Sequence, residues 1–145
     1  MRTFTVFLLL ALCLAPAAAS ADRMDIRKPA YEQSAAYEAD GYSVKDAVLL
    51  GELSKGASYY FDTQLTTGLS YFFHFQGDAG VRGLRLEIYD ENWERVAEYE
   101  TQGEALADPV VVKLTPQWSG TFHVKATMVD CVEDFDYWFI LAGFK

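Results

Sequence analysis

The chain has 145 residues, of which 12 are Lys or Arg and 21 are Asp or Glu, so its formal charge at pH 7 is −9. This acidity argues against nucleic acid as a partner and against docking on anionic lipid, because both of these present negative charge. Aromatic residues make up 15% of the chain, which is enough to fill the core of one small domain.

Residues 1–21 have the pattern of a cleaved secretory signal peptide. Arg2 provides a positive start, residues 4–14 form an apolar run, and small residues fill most of 17–21. Cleavage is expected before Asp22. A transmembrane anchor fits less well, because the apolar run is shorter than the ~20 residues that a membrane-spanning helix needs. We therefore expect an exported protein, periplasmic or extracellular, without an integral membrane span.

Residues 22–42 form a polar, alanine-rich extension ahead of the first predicted strand. Pro29 suits the first turn of a helix and Gly41 suits its end, which predicts a short helix over residues 30–39. The apolar face of this helix would consist of Tyr31, Ala35 and Ala39. Because that face is small, we expect the extension to pack loosely or to fray.

From residue 43 onward, short segments of alternating apolar and polar residues are separated by turn residues. A period of two predicts β-strands with one buried and one exposed face. About eight strands are expected, at residues 47–53, 58–65, 69–76, 83–89, 94–99, 109–114, 121–129 and 135–142. The expected fold of residues 43–145 is all-β, an antiparallel β-sandwich of the jelly-roll type.

Several short motifs recur in a fixed order along these strands. They are Leu53-Ser54-Lys55-Gly56, Tyr59-Tyr60-Phe61-Asp62, Leu65-Thr66-Thr67-Gly68, Tyr71-Phe72-Phe73, Leu84-Arg85-Leu86-Glu87-Ile88-Tyr89-Asp90, Ser119-Gly120-Thr121-Phe122-His123-Val124 and Tyr137-Trp138-Phe139. Their order and spacing over residues 47–142 resemble the bacterial pre-peptidase C-terminal domain family. Members of that family are β-sandwich or jelly-roll modules that are usually appended to secreted peptidases.

The resemblance implies a non-enzymatic module that acts by binding, and some relatives in the family bind calcium. The chain departs from the family pattern at three places. Ser58 stands where an acidic residue is frequent, Val81-Arg82-Gly83 replaces aspartates, and Trp93 replaces the glycine that ends the hairpin turn. We therefore expect no cofactor, with calcium as the alternative.

Four aromatic residues on predicted loops or outward strand faces are the candidate ligand-binding residues: Tyr89, Trp93, Trp118 and Trp138. Exposed rings stack on sugars or anchor protein interfaces, unless neighbouring loops or the 22–42 segment cover them. Phe72 and Trp138 on outward faces also indicate that one sheet is covered, by the N-terminal segment or by a partner subunit.

The preferred interpretation is a binding module whose partner is an envelope protein or a second copy of the chain. A carbohydrate-binding module is the alternative. A small secreted hydrolase is disfavoured, because the sequence has neither a Gly-x-Ser-x-Gly nor a His-Glu-x-x-His motif.

An acidic loop near the C-terminus carries the candidate calcium ligands Asp130, Glu133, Asp134 and Asp136. Calcium takes oxygen ligands, but the spacing of these residues is not that of an EF-hand. The alternative interpretation is a solvated acidic loop that binds no metal. The two histidines, His74 and His123, fall on strand faces predicted to be polar and are expected to face solvent. Cys131 is expected to be buried rather than to form an intermolecular disulfide.

Overall fold

The computed structural model describes residues 23–45, 49–103 and 108–145. These residues form one helix and nine strands. The elements are α1 (Arg23–Ala39), β1 (Ser43–Val44), β2 (Leu49–Ser54), β3 (Ser58–Leu65), β4 (Tyr71–Gly77), β5 (Val81–Tyr89), β6 (Arg95–Gln102), β7 (Val110–Leu114), β8 (Gly120–Cys131) and β9 (Phe135–Phe144). The predicted signal peptide lies outside the described residues. In the part of the chain that is described, no helix is long and apolar enough to cross a membrane.

The strands form two antiparallel sheets that pack face to face. The five-stranded sheet has the order β1-β9-β4-β7, and β2 also pairs with β9, so β1 and β2 share one edge. The four-stranded sheet has the order β3-β8-β5-β6. The expected all-β antiparallel sandwich is confirmed. The two-residue strand β1 is an addition, since two residues are too short for alternation to be visible.

The core between the sheets is built by the predicted alternation. In β8, Phe122, Val124, Ala126 and Met128 are each at most 1% exposed, and they meet Leu84, Leu86 and Ile88 of β5. Large rings from the five-stranded sheet complete the core: Tyr71, Phe73, Phe75 and Trp138. Burying such side chains is the main favourable contribution to folding.

A helix is present over residues 30–39, as expected, but its predicted start and its loose packing are wrong. The helix α1 begins at Arg23 and continues through Pro29. It packs through Ile26, Ala30 and Tyr37 rather than through Tyr31, which is 67% exposed. Tertiary packing of this apolar side outweighs the local preference of proline for the first turn of a helix.

The helix covers the outer face of the five-stranded sheet. A second, smaller core forms there, in which α1 and Tyr42 contact Phe72, Phe139 and Leu141. The ring of Tyr37 stacks on that of Phe72, with centroids 3.7 Å apart. The N-terminal segment is therefore the cover that the outward-facing Phe72 indicated.

Trp138 lies on the other side of its sheet from the expected one, and His74 lies on the expected side but is buried. Trp138 is 2% exposed and lies between the sheets, so its placement on an outward face is wrong. A Cβ on Gly51 of β2 would lie 2.8 Å from Cζ2 of Trp138, so the glycine makes room for the indole. His74 is buried, at 2% exposure, because α1 covers the strand face that the sequence pattern predicts to be polar and exposed.

Candidate functional site

The outer face of the four-stranded sheet is the candidate site. Among the described residues, no helix packs on it, and α1 lies against the other sheet. We call it the open face. Its cross-strand rows and the adjoining turn provide Tyr60, Asp62, Arg85, Glu87, Tyr89, Trp93, Arg95, Glu98, Glu100, His123 and Lys125.

Glu87 is the centre of a charge network on this face, and its side chain is only 6% exposed. Its carboxylate accepts a hydrogen bond from the hydroxyl of Tyr89 (2.7 Å). Nζ of Lys125 lies 3.0 Å away and Nη1 of Arg95 lies 3.6 Å away. Burial alone would raise the pKa of the Glu87 carboxyl, but the hydrogen bond from Tyr89 and the Lys125 ammonium outweigh it and lower that pKa. The carboxylate is therefore ionised and held by its neighbours.

The arginines of the open face are held in the same way. Arg85 donates to the carboxylate of Glu100 from the neighbouring strand β6. Arg95 lies 2.8 Å from Glu98. These pairs fix long side chains that would otherwise lose rotamer entropy when a partner binds, so the surface is preorganised.

A stack of two rings, with two further residues against it, lies at one end of the open face. The indole of Trp93 lies on the imidazole of His123, with centroids 4.1 Å apart and an angle of 2° between the rings. Nδ1 of His123 lies 2.7 Å from Oδ1 of Asp62 on β3. Tyr89 flanks the indole at 5.9 Å. Trp93 is nevertheless 56% exposed, so the stack presents a wide aromatic surface to solvent.

The turn between β5 and β6 places Trp93 in an unusual backbone conformation. Its φ is 62°, and it is the only residue other than glycine with positive φ in the described ranges. For an L-residue with a Cβ, this conformation costs roughly 1–2 kcal/mol. Oδ1 of the buried Asp90 accepts hydrogen bonds from the backbone N–H groups of Asn92 (2.8 Å) and Glu94 (2.9 Å), which fixes the turn.

The four predicted ligand-binding aromatics do not form one surface. Tyr89 and Trp93 are brought together, as described above. Trp118 is 40% exposed and lies beside Phe122 at the end of the core, where it lines a cavity of about 270 Å³ with Leu114 and Pro116. Trp138 is buried and takes no part.

The acidic loop does not gather its carboxylates. Asp130 pairs with Lys55 at 2.6 Å. Asp136 is buried and accepts a hydrogen bond from its neighbour's backbone N–H, and burial raises the pKa of its carboxyl. Glu133 and Asp134 are exposed. In residues 23–45, 49–103 and 108–145, no three Asp, Glu, His or Cys side chains form a group that could hold a metal ion.

Cys131, next to this loop, is 6% exposed, and its thiol lies 3.1 Å from the carbonyl oxygen of Glu133. Burial raises the pKa of the thiol, which favours the unreactive protonated form. The expected burial of Cys131 agrees with the structure.

His74 lies beneath α1 rather than in solvent. Its Nδ1 is 3.1 Å from the hydroxyl of Tyr37, and its Nε2 is 3.0 Å from Oε1 of Gln76. Gln76 Oε1 can only accept, so Nε2 carries the proton and Nδ1 accepts from Tyr37. Burial lowers the pKa of the imidazole.

Sequence reasoning missed Tyr60, Asp62 and the role of His123 in the stack. Two signals were available. Alternation along β3 places Tyr60 and Asp62 on the outward face, and Trp93 occupies a turn position typical of glycine. Neither signal reveals that β3, β8 and the β5–β6 turn meet.

Comparisons with known proteins show similarity of fold. No protein-family profile matches the sequence, and no curated protein sequence matches it. Aeromonas hydrophila PliG, a periplasmic inhibitor of g-type lysozyme, is similar with a TM-score of 0.51 and 10% identity, covering 73% of this chain and 90% of that chain.

Two further solved structures are similar at lower TM-scores. The pre-peptidase C-terminal domain of a Bacillus anthracis collagenase has a TM-score of 0.48 and 11% identity, over 66% of this chain and 87% of that chain. A CBM4 module has a TM-score of 0.47 and 11% identity, over 72% of this chain and 79% of that chain. The resemblance to the pre-peptidase C-terminal family stays a prediction.

Proposed function

We propose that the protein is a non-catalytic, exported binding module that holds another protein on its open face. The observation that carries the proposal is the difference between the two sheets. The outer face of one sheet is covered by α1, whereas no helix of the described residues covers the outer face of the other, which carries exposed aromatic rings among fixed charges.

The composition of the open face supports a protein partner. Tyr60 is 54% exposed and Trp93 is 56% exposed. Tyrosine, tryptophan and arginine are the residues in which protein interfaces are enriched. Four strands of about eight residues provide roughly 500 Å². Because a standard interface buries about 800 Å² on each partner, the turn at residues 90–94 would have to take part.

The chemistry of the histidines supports a non-catalytic role. His74 lies under α1 between Tyr37 and Gln76. His123 has a carboxylate partner, as a general base would, but one side of its ring is covered by Trp93. No hydrogen bond joins His123 to a hydroxyl or thiol nucleophile in the described part of the chain, which a Ser- or Cys-type hydrolase would need.

The fold comparisons agree with a binding role. PliG, whose fold is similar, is an inhibitor of g-type lysozyme. Binding of a lysozyme is therefore one case of the proposed function, and the periplasmic location of PliG is consistent with the expected export.

A carbohydrate ligand is the second candidate, favoured by the adjacent rings of Tyr89 and Trp93. A soluble glycan that binds the folded state raises the melting temperature by mass action. A panel of plant, bacterial and animal glycans therefore separates the two candidates. A shift with one glycan class would favour the second candidate over a protein partner.

The test of the proposed function uses two matched tyrosine variants on opposite sides of the molecule. Purified wild-type protein, Tyr60→Ser and Tyr31→Ser are immobilised and exposed to the exported proteins of the source organism. We expect a specific partner to bind the wild type and Tyr31→Ser but to be lost with Tyr60→Ser. Equal capture by all three proteins, or no specific capture by any, would refute the proposal.

A further inference from the structure

Trp93 occupies a position that favours a different residue. The other residues with positive φ in the described ranges are Gly41, Gly56 and Gly68. The turn does not depend on the indole, because Asp90 fixes it through the backbone of Asn92 and Glu94. A glycine at residue 93 would relieve the backbone and keep these hydrogen bonds. Formation of the turn therefore does not require a tryptophan at residue 93.

The indole is held rigidly but left open. One side of the ring lies on His123 at 4.1 Å, and His123 is itself fixed by Asp62. More than half of the Trp93 surface remains accessible, at 56%. A ring that is fixed before binding loses little conformational entropy when a ligand stacks on it. The stack is thus a preorganised aromatic platform.

The charges near the platform that are left without an ion pair are negative, because the neighbouring cations Arg95 and Lys125 are already paired with Glu87 and Glu98. The side chain of Asp62 is 69% exposed, and its bond to His123 uses only Oδ1. Glu91 and Glu94, on either side of Trp93 in the chain, are exposed and take part in no ion pair in the part of the chain that is described. The whole chain carries a formal charge of −9. The electrostatic complement of this surface is a cation.

Resting on the proposed function, we propose that Trp93, Asp62 and Glu91 bind an arginine side chain of a basic partner protein. A guanidinium stacks on the face of an indole, and tryptophan is the strongest of the aromatic side chains in such cation–π contacts. The N–H groups of the guanidinium also form a rigid planar fork that can donate two hydrogen bonds to a carboxylate. A sugar would stack on the same ring but would gain nothing from the net negative charge.

The test compares two peptides that differ only in charge. An acetylated, amidated (Gly-Arg)₄ peptide and its citrulline counterpart have nearly the same shape, but citrulline is neutral. Calorimetric titration of the purified protein should show saturable binding of the arginine peptide and at least about tenfold weaker binding of the citrulline peptide. Equal affinity for the two peptides, or binding of neither, would overturn the inference.

The matched variants are Trp93→Gly and Trp118→Phe. We expect Trp93→Gly to bind the arginine peptide about tenfold more weakly than the wild type does. The melting temperature of the variant should stay within a few degrees of that of the wild type. Trp118→Phe should leave peptide affinity unchanged. A large loss of melting temperature in Trp93→Gly with unchanged peptide affinity would show that the indole is structural, against the inference.

The two proposals fail separately. If the arginine peptide does not bind but Tyr60→Ser still loses a protein partner, the cation site is wrong and the protein-binding function stands. If the peptide binds but Tyr60→Ser and Tyr31→Ser capture the same proteins, the cation site stands and the function of the open face is wrong.

Discussion

Glu87 shows how an outward strand position becomes a buried charged centre. Its neighbours Tyr89, Lys125 and Arg95 surround the carboxylate, so its side chain is almost inaccessible although it faces away from the core. A buried charge is tolerated only when partners replace the water that it loses. The network therefore depends on each of its members.

Lys125→Met should destabilise the protein by about 2 kcal/mol, because it leaves the Glu87 carboxylate buried without its closest cation. Urea unfolding at pH 7 measures this change. The control is Lys55→Met, which removes the partner of Asp130 from an exposed pair and should change stability little. Equal effects of the two substitutions would contradict the account of Glu87.

His74 predicts a dependence of stability on pH. Burial lowers its pKa in the folded state below the ordinary value of 6.5, so between these two values the unfolded chain binds more protons than the folded one. Stability should therefore fall as the pH falls below about 6.5, by at most about 1.4 kcal/mol per pH unit from this group. The free energy of unfolding measured from pH 7.5 to 5.0 should be less steep for His74→Gln than for the wild type. Identical slopes would show that His74 does not titrate as described.

At the scale of single residues, some site residues were predictable from the sequence and others were placed wrongly. Trp93 was recognisable because a tryptophan stood at a glycine position of a turn. Trp138 and His74 were misplaced for different reasons: alternation assigns residues to two faces but says neither which face turns inward, which decides Trp138, nor what covers the outer face, which decides His74. Gly51 makes room for the indole of Trp138, and α1 covers His74. Both effects depend on tertiary contacts, which the alternation of a single strand does not show.

Among the elements, α1 has the clearest structural role, because it covers Phe72, Phe139 and Leu141 on the five-stranded sheet. Without it, a contiguous apolar surface would face solvent, which promotes association. The strand positions were predictable from the period of two, within a few residues at each end. The start of α1 was not, since the contacts of Ile26 and Ala30 with the sheet extend the helix past Pro29.

Tyr37→Ala should destabilise the protein by about 2–4 kcal/mol, because it removes the ring stacked on Phe72 and the hydrogen bond to His74. Thermal unfolding followed by circular dichroism measures the loss. Tyr31→Ala, on the exposed side of the same helix, should stay within about 0.5 kcal/mol of the wild type. If Tyr37→Ala were equally harmless, the packing of α1 on the sheet would be wrong.

Over the described part of the molecule, the sandwich is asymmetric: its core is filled, α1 covers one outer face, and no helix covers the other. Composition and alternation were sufficient to predict the two-sheet fold, because bulky side chains at every second residue fit that architecture and few others. They could not predict the open face as a site. Asp62, His123 and Trp93 come from three separate segments that meet only after the sheet has formed.

Photo-crosslinking in the source organism tests the function of the open face most directly. A benzoylphenylalanine introduced at residue 60 lies on the open face, and one at residue 31 lies on the exposed side of α1. Irradiation should produce a discrete product of higher mass, joined to another protein, from residue 60 and not from residue 31. An absence of product at residue 60, or the same products from both positions, would contradict the account.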